Sequence, residues 1–445
     1  MTKPTERALG TFDASLLVVG CIVGAGIFLV SPVVAGHLRS PAAFLATWVL
    51  GGLVALSGAL CNGELGGMFP RSGGEYIYLR HAYGPRMGFL SGWTSFWIVF
   101  PGSIAAMAAG FGATVASMCG IHGARAPELI GAGAIVVLTL VNAGGIHAGK
   151  LVQNALSLAK ILAFAGLLLL GWCSPAAMAS SSGLHPFFVT GDTLSGFASA
   201  LIPVLFAYSG WNAATYIAGE MRSPERNLGK SLVAGTGISI VLYLAVNISY
   251  LRALPMAELA VAVDPAHLAA VRLDGSGVAK FLTPLVAICV LGSMQANVLT
   301  GPRICKAMAE DRLFFRIAGT SNSPGRVPYG ALAAQAFIAT AQLVSGSFEQ
   351  LLTFTTVAII AFSTLTVAAV VVLRRRIPAM PRAFRTPMVP LVPVLFVAVN
   401  LWVLGTVAIA NPIESLIGFA IVATGVPAYR AFRAGAKQER EELAQ

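Results

Sequence analysis

The residues of this chain with distinctive chemistry are few, and they lie inside apolar sequence. Lys160 is the one charged residue placed deep within a long apolar run, nine residues beyond Leu151 and about 13 Å along a helix. A lysine at that depth is expensive and marks a functional position with a partner in the protein interior, unless its stem carries the charge to the nearer interface. Two other apolar runs are interrupted, one at Gly24-Ala25-Gly26 and one at Ser209-Gly210. Unpaired backbone at mid-membrane costs several kcal/mol unless protein, water or a ligand faces it. After Gly24, a restarting helix would aim the free N–H groups of Ala25, Gly26 and Ile27 and a partial positive charge at one spot, which suits a carboxylate. Carbonyls freed before the breaks, from about Ile22 and from Phe206 and Ser209, could accept from an ammonium. Carboxylate at one end and ammonium at the other describe an α-amino acid backbone. The competing reading is that the glycines only let helices pack closely, since the chain holds 48 of them.

The elements that must position these groups follow from composition. In 445 residues, 56% are hydrophobic and 11% charged, against about 25% charged in soluble domains. With mean hydropathy of +0.79 spread along the chain, this reads as an all-α membrane protein with many spans. Twelve spans are predicted, at residues 13–35, 44–65, 88–117, 129–145, 151–172, 195–219, 229–250, 278–306, 329–346, 348–373, 389–408 and 413–432. The first apolar run follows Lys3 and Arg7 but leads straight into further spans, so it reads as a retained helix, not a cleaved signal.

The net charge of +11 is explained by its placement and requires no nucleic-acid partner. With the N-terminus in the cytoplasm, the outer loops hold Arg39, Arg125, Arg252, Arg272 and Lys280, and Lys160 lies in a span. The other 23 of the 29 basic residues fall inside, which predicts cytoplasmic N- and C-termini. Arg374, Arg375 and Arg376, with Arg382 and Arg385, follow the same rule and can also meet anionic lipid head groups. The six cysteines form no C-x-x-C pair and read as free packing thiols.

Five spans fill residues 13–172 and five more fill 195–373, so the second set enters the membrane in the opposite sense. Each set begins with an interrupted span, and paired interrupted helices in inverted repeats point to a transporter's substrate site. Residues 1–12 are read as a cytoplasmic N-terminus, 389–432 as two helices outside the repeat and 433–445 as a cytoplasmic tail.

Several segments resemble the amino acid-polyamine-organocation superfamily, and within it the L-type amino acid transporter branch. Gly24-Ala25-Gly26-Ile27-Phe28 with Ser31-Pro32 is similar to the G-S-G-I-F…S-P of that family's span 1, and Pro70-Arg71-Ser72-Gly73-Gly74-Glu75-Tyr76 to the segment after span 2. Phe206-Ala207-Tyr208-Ser209-Gly210-Trp211-Asn212, then Gly219-Glu220-Met221, resembles F-A-Y-G-G-W-N…E-E-M in span 6. Lys160, Ser293, Arg303 and the run from Arg382 to Pro387 extend the match along nearly the whole chain. The resemblance implies a 5+5 inverted repeat of the bacterial leucine transporter type, with discontinuous helices 1 and 6 and alternating access. It makes Phe206 an aromatic gate over the substrate and Asn212 a polar contact near its head group or the unwound segment. It puts Lys160 where sodium-coupled relatives bind sodium, as a fixed cation bridging spans 1 and 8.

Two departures qualify this transfer. Ala25 stands where serine is common, which removes a hydroxyl contact to the carboxylate, and Ser209 replaces a common glycine, which narrows the cavity toward small or medium substrates. The expected pocket holds no carboxylate, since Asp13, Glu64 and Glu220 lie near cytoplasmic ends, and this argues against cationic substrates. The expected function is sodium-independent exchange of neutral amino acids across a bacterial inner membrane, without a cofactor or metal. Proton-coupled symport, with Lys160 gaining and losing a proton, and a transporter-like sensor remain alternatives. Some eukaryotic relatives are disulfide-linked to a heavy chain after span 3. Cys119 lies near that point but close to the membrane boundary, so a heavy-chain partner is not expected. Gly144 to Lys150 spells G-x-x-x-x-G-K but Leu151 follows in place of Ser or Thr, so no phosphate-binding loop is implied.

Overall fold

The computed structural model describes residues 7–24, 26–173, 191–262, 264–274, 282–320, 327–345, 348–410 and 412–442. These residues are almost entirely helical. In chain order they form α1 (Thr11–Ile22), α2 (Gly26–His37), α3 (Pro41–Met68), α4 (Glu75–Tyr83), α5 (Pro85–Thr94), α6 (Phe100–Cys119), α7 (Ala126–Ala143), α8 (Ile146–Cys173) and α9 (Leu194–Ala207). A 3₁₀ segment (Ala213–Glu220) follows, then α10 (Pro224–Ala253), α11 (Met256–Val261), α12 (Pro265–Asp274), α13 (Leu282–Glu310), α14 (Arg316–Gly319), α15 (Tyr329–Ser345), α16 (Phe348–Arg376), α17 (Leu391–Ala410) and α18 (Pro412–Glu442). An isolated parallel bridge joins Leu9 to Met221.

Local sequence explains where the long helices start and stop. The Ser40 hydroxyl accepts from the Ala43 N–H at 3.1 Å and Pro41 occupies the first turn, so α3 begins capped. Its 28 residues span about 42 Å, more than the roughly 30 Å hydrocarbon core. α10 likewise opens on Pro224 with Glu225 in its first turn and closes with Arg252 in its last, each charge at the favourable end of the helix dipole. Nine helices among the described residues are long and apolar enough to cross a membrane. Three further expected spans correspond to α8, of 28 residues, α15, of 17, and α9, which reaches only 14 because the sixth apolar run breaks after Ala207.

Packing follows the logic of a lipid solvent. Leu129, Leu151, Leu162, Phe337 and Ile409 point outward, each more than two-thirds exposed, which suits acyl chains and would be costly in water. Polar groups turn inward: Ser157, Lys160, Asn247, Ser293 and Gln295 are all buried. Between α3, α10 and the segment after α9, the Trp48 ring meets Tyr208 and Tyr243 with centroids 6.0 and 5.4 Å away.

At one end of the bundle the run from Arg382 to Pro387 caps α3. Glu64, buried on that helix, accepts two bonds from Arg374 of α16 at 2.9 and 2.7 Å, and a third from the Thr386 N–H at 2.8 Å. Arg382 lies 3.2 Å from the same carboxylate, and the Phe384 ring fills the space that Gly63 and Gly229 leave open. Removing one partner of such a buried cluster strands the others, at a cost of about 3–5 kcal/mol. Glu64→Gln is therefore expected to lower the melting temperature in detergent markedly, followed by tryptophan fluorescence. Substitution of the exposed neighbour Arg375 by Ala should leave it within a degree or two of wild type, at about 0.5 kcal/mol or less.

Candidate substrate site

Both interrupted runs break where the sequence predicts. α1 ends at Ile22, Val23 and Gly24 are non-helical, and α2 restarts at Gly26. As the first residues of α2, Gly26 and Ile27 present N–H groups with no partner inside that helix. Ala25 lies outside the described residues. In the sixth run, α9 ends at Ala207, Gly210 turns the chain at φ +103°, and it continues as the 3₁₀ segment instead of the regular α-helix expected to about residue 219.

The two breaks touch. A methyl group on Gly26 would lie 3.2 Å from the Cα of Ala207, and one on Gly210 would lie 2.7 Å from the Cβ of Cys21. Gly210 is thus required twice, by its left-handed backbone and by the close approach of α1. Tyr243, buried on α10, pins both ends: its hydroxyl lies 2.6 Å from the Ile22 carbonyl and 3.1 Å from that of Ala207. One hydroxyl proton serves two carbonyls, so the second contact is shared or alternating.

Lys160 closes the other side of the first break. Its ammonium donates to the Gly20 carbonyl at 2.9 Å, the Val23 carbonyl at 2.7 Å and the Ser293 hydroxyl at 3.0 Å. An ammonium has three N–H donors, and here all three are used. Ser293 in turn lies 2.9 Å from the Gly20 carbonyl and 3.2 Å from that of Cys289, so α8, α1 and α13 meet at one point. Lys160 is fully buried, with no side-chain route to an interface.

The remaining predicted site residues are distributed around this core. Phe206, Ser209, Asn212 and Gly26 are partly exposed, while Ile27 is buried and its carbonyl accepts from Ser31 at 2.8 Å. The Ile22 carbonyl receives the Tyr243 hydroxyl and the Gly24 N–H, so its lone pairs face protein groups in this conformation. The Phe206 carbonyl accepts the Ser209 N–H at 2.9 Å. Asn212 donates to the Glu75 carboxylate and to the Tyr216 hydroxyl, both at 3.0 Å.

Sequence reasoning missed Glu75 and Tyr243. Glu75 was visible only as one letter of the Gly73-Gly74-Glu75-Tyr76 motif, and Tyr243 as one aromatic residue in a long apolar run. The carboxylates at the helix ends are paired: Asp13 with Lys150 at 2.9 Å, and Glu220 with Arg303 at 3.1 Å. Asp311 holds Arg71 at 3.1 Å, Arg80, and the Tyr76 hydroxyl at 2.7 Å. Burial alone would raise the Asp311 pKa, but the bonds from Arg80 and Tyr76 and the charge of Arg71 hold it below the usual carboxylate value. Among the described residues no cluster of His, Cys, Asp and Glu could hold a metal ion.

Paired helix breaks braced by a buried lysine are an arrangement suited to membrane transport, and comparison with known proteins gives the family. Residues 9–426 match the family model described as amino acid permease, and the chain belongs to that family, within the amino acid-polyamine-organocation superfamily. It is 29% identical over 430 residues to the serine/threonine exchanger SteT of Bacillus subtilis (strain 168), covering 95% of this chain and 96% of that one. It is also similar to the b(0,+)-type amino acid transporter 1 of Mus musculus, 29% identical over 92% of this chain and 84% of the relative. The large neutral amino acids transporter small subunit 2 of Homo sapiens is 27% identical, over 95% of this chain and 80% of the relative. The chain is a multi-pass membrane permease and not an enzyme.

The bridging role of Tyr243 gives a direct test. Tyr243→Phe keeps the ring and removes the hydroxyl, leaving two buried carbonyls short of a donor at about 1–3 kcal/mol. The variant should melt at lower temperature and transport more slowly at saturating substrate. Tyr250→Phe is the control: that hydroxyl is buried on the same helix with no hydrogen-bond partner among the described residues, so its loss should leave both nearly unchanged.

Proposed function

We propose that this protein exchanges neutral amino acids across the bacterial inner membrane, independently of sodium, by alternating access around the two helix breaks. The carrying observation is the environment of Lys160. Its ammonium has spent every donor on the broken first span and on Ser293, so it acts as a fixed cation in the place where a mobile one would otherwise join α1 to α13. Carbonyls of an unwound segment are natural ligands for a small cation, and a tethered ammonium supplies that charge without needing an ion from solution.

The substrate is read as held by its backbone. The N–H groups of Ala25, Gly26 and Ile27 face its carboxylate, the carbonyls near Ile22 and at Phe206 and Ser209 face its ammonium, and Phe206 closes over it. Ser209 and the close contact of the two breaks at Gly26 and Gly210 narrow the room for a side chain, which favours small neutral residues, in line with the Bacillus subtilis relative being a serine/threonine exchanger. The same reading includes twelve spans in a 5+5 inverted repeat, with both termini in the cytoplasm and no heavy-chain partner.

Purified protein in proteoliposomes should take up labelled serine or alanine only when unlabelled amino acid is trapped inside, at equal rates in sodium and potassium buffers. Lys160→Ala should cut that exchange at least tenfold. A variant exchanging at the wild-type rate, or wild-type uptake that needs sodium, would remove the fixed-cation reading.

A further inference from the structure

Glu75 has no role in the exchange cycle, yet its carboxylate is bonded by Asn212, two residues beyond the Gly210 turn. It opens α4, which lies outside the membrane-crossing helices, and it is only 6% exposed. Its place depends on the glycines before it. Gly74 has φ +53°, and a methyl group there would lie 2.4 Å from the Tyr216 ring and 2.9 Å from the Thr215 hydroxyl. Only glycine lets the start of α4 settle against the 3₁₀ segment, and that contact brings the carboxylate beneath Asn212.

What surrounds Glu75 is short of positive charge. Its one side-chain hydrogen bond comes from the Asn212 amide at 3.0 Å, and among the described residues no lysine, arginine or histidine pairs with it. The titratable groups facing it are the phenols of Tyr78, on its own helix, and Tyr216, on the 3₁₀ segment; α1 adds the thiol of Cys21 next to Tyr216. The cations of the neighbouring elements are engaged elsewhere: Arg71 and Arg80 hold Asp311, and Arg303 holds Glu220. A carboxylate in that setting is uncomfortable when ionised and has two remedies, a proton or a path to water.

We propose that Glu75 is a proton-binding site that keeps the 3₁₀ segment packed against α4 when protonated and lets the two separate when it ionises. The link to substrate is Asn212, which donates to Glu75 and stands two residues beyond the Gly210 turn. Separation would hydrate the carboxylate and free the inner end of the sixth run, opening the substrate cavity on that side. This inference rests on the exchange reading and adds to it a proton that sets when that side opens.

The sign follows from linkage. Burial pushes the Glu75 pKa up to about 8, with the Asn212 bond opposing, whereas a hydrated glutamate titrates near 4.5. The packed state therefore binds the extra proton between those values, and each unit of rising pH in that window shifts the equilibrium up to tenfold toward separation.

In proteoliposomes exchanging labelled serine, the wild-type rate should rise as pH on the α4 side goes from 6 to 8.5. Glu75→Gln, which mimics the protonated group at every pH, should be flat and stay near the low-pH rate. Glu75→Asp should restore a rising profile. A Glu75→Gln variant that follows the wild-type profile, or a wild-type profile that is flat, would overturn the proposal. A second measurement needs no variant: a hydrophobic carbodiimide labels protonated carboxyl groups, so the Glu75 peptide of the wild-type protein should be modified at pH 6.5. That labelling should fall at least tenfold by pH 9, relative to total carboxyl labelling; labelling that is absent or constant overturns the proposal. Absence of serine exchange at any pH, with labelling of Glu75 still dependent on pH, would reject the exchange reading alone and leave the proton site standing.

Discussion

Everything at the centre of this permease depends on one arrangement, a lysine ammonium held by the carbonyls of a helix that has come apart. An unwound segment in hydrocarbon cannot persist on glycine flexibility alone, because each exposed carbonyl must find a donor. Lys160 gives donors to Gly20 and Val23, and Tyr243 gives one to Ile22. The lysine would be equally untenable alone, since a buried ammonium needs acceptors as much as the carbonyls need donors. Each fault satisfies the other, and the α1 break, α8 and α13 are fixed relative to one another by that exchange of bonds.

The second break is held by different means. No lysine bonds it among the described residues; beside the shared Tyr243 hydroxyl at Ala207 and the bonds from Asn212, it is held mainly by glycine and aromatic contact, with Gly210 against Cys21, Gly26 against Ala207, and Tyr208 within the Trp48 and Tyr243 rings. Packing of this kind is non-directional and can be remade in another geometry more readily than three hydrogen bonds to a charge. The two breaks thus differ in how they are held: the first is anchored to a charge, and the second continues as a 3₁₀ run, a form with poorer hydrogen-bond geometry than the α-helix.

Much of this was legible in the sequence, and the parts that were not share a cause. Lys160 stood out because a charge among apolar residues is rare, and Gly24, Gly26 and Gly210 because glycine is the residue that permits a break. Tyr243 and Glu75 gave no such signal. A tyrosine in an apolar run and a glutamate beside two glycines are ordinary by type, and their importance comes from partners 221 and 137 positions away in the chain. The form of the second half of the sixth run was also hidden, since residues 213–220 are as apolar as a regular helix and nothing local dictates 3₁₀ winding. The run from Arg382 to Pro387 was recognisable by resemblance, but its physical role, capping a buried glutamate on α3, needed the contact itself.

The parallel bridge between Leu9 and Met221 has a mechanical meaning. Leu9 gives its N–H to the Glu220 carbonyl and takes the Arg222 N–H, so the strand-like stub before α1 is stitched to the far end of the 3₁₀ segment. Together with the Gly210 contact on Cys21, this fastens the inner portions of the first and sixth runs at both ends. They form a single lever, and any swing of one must carry the other with it.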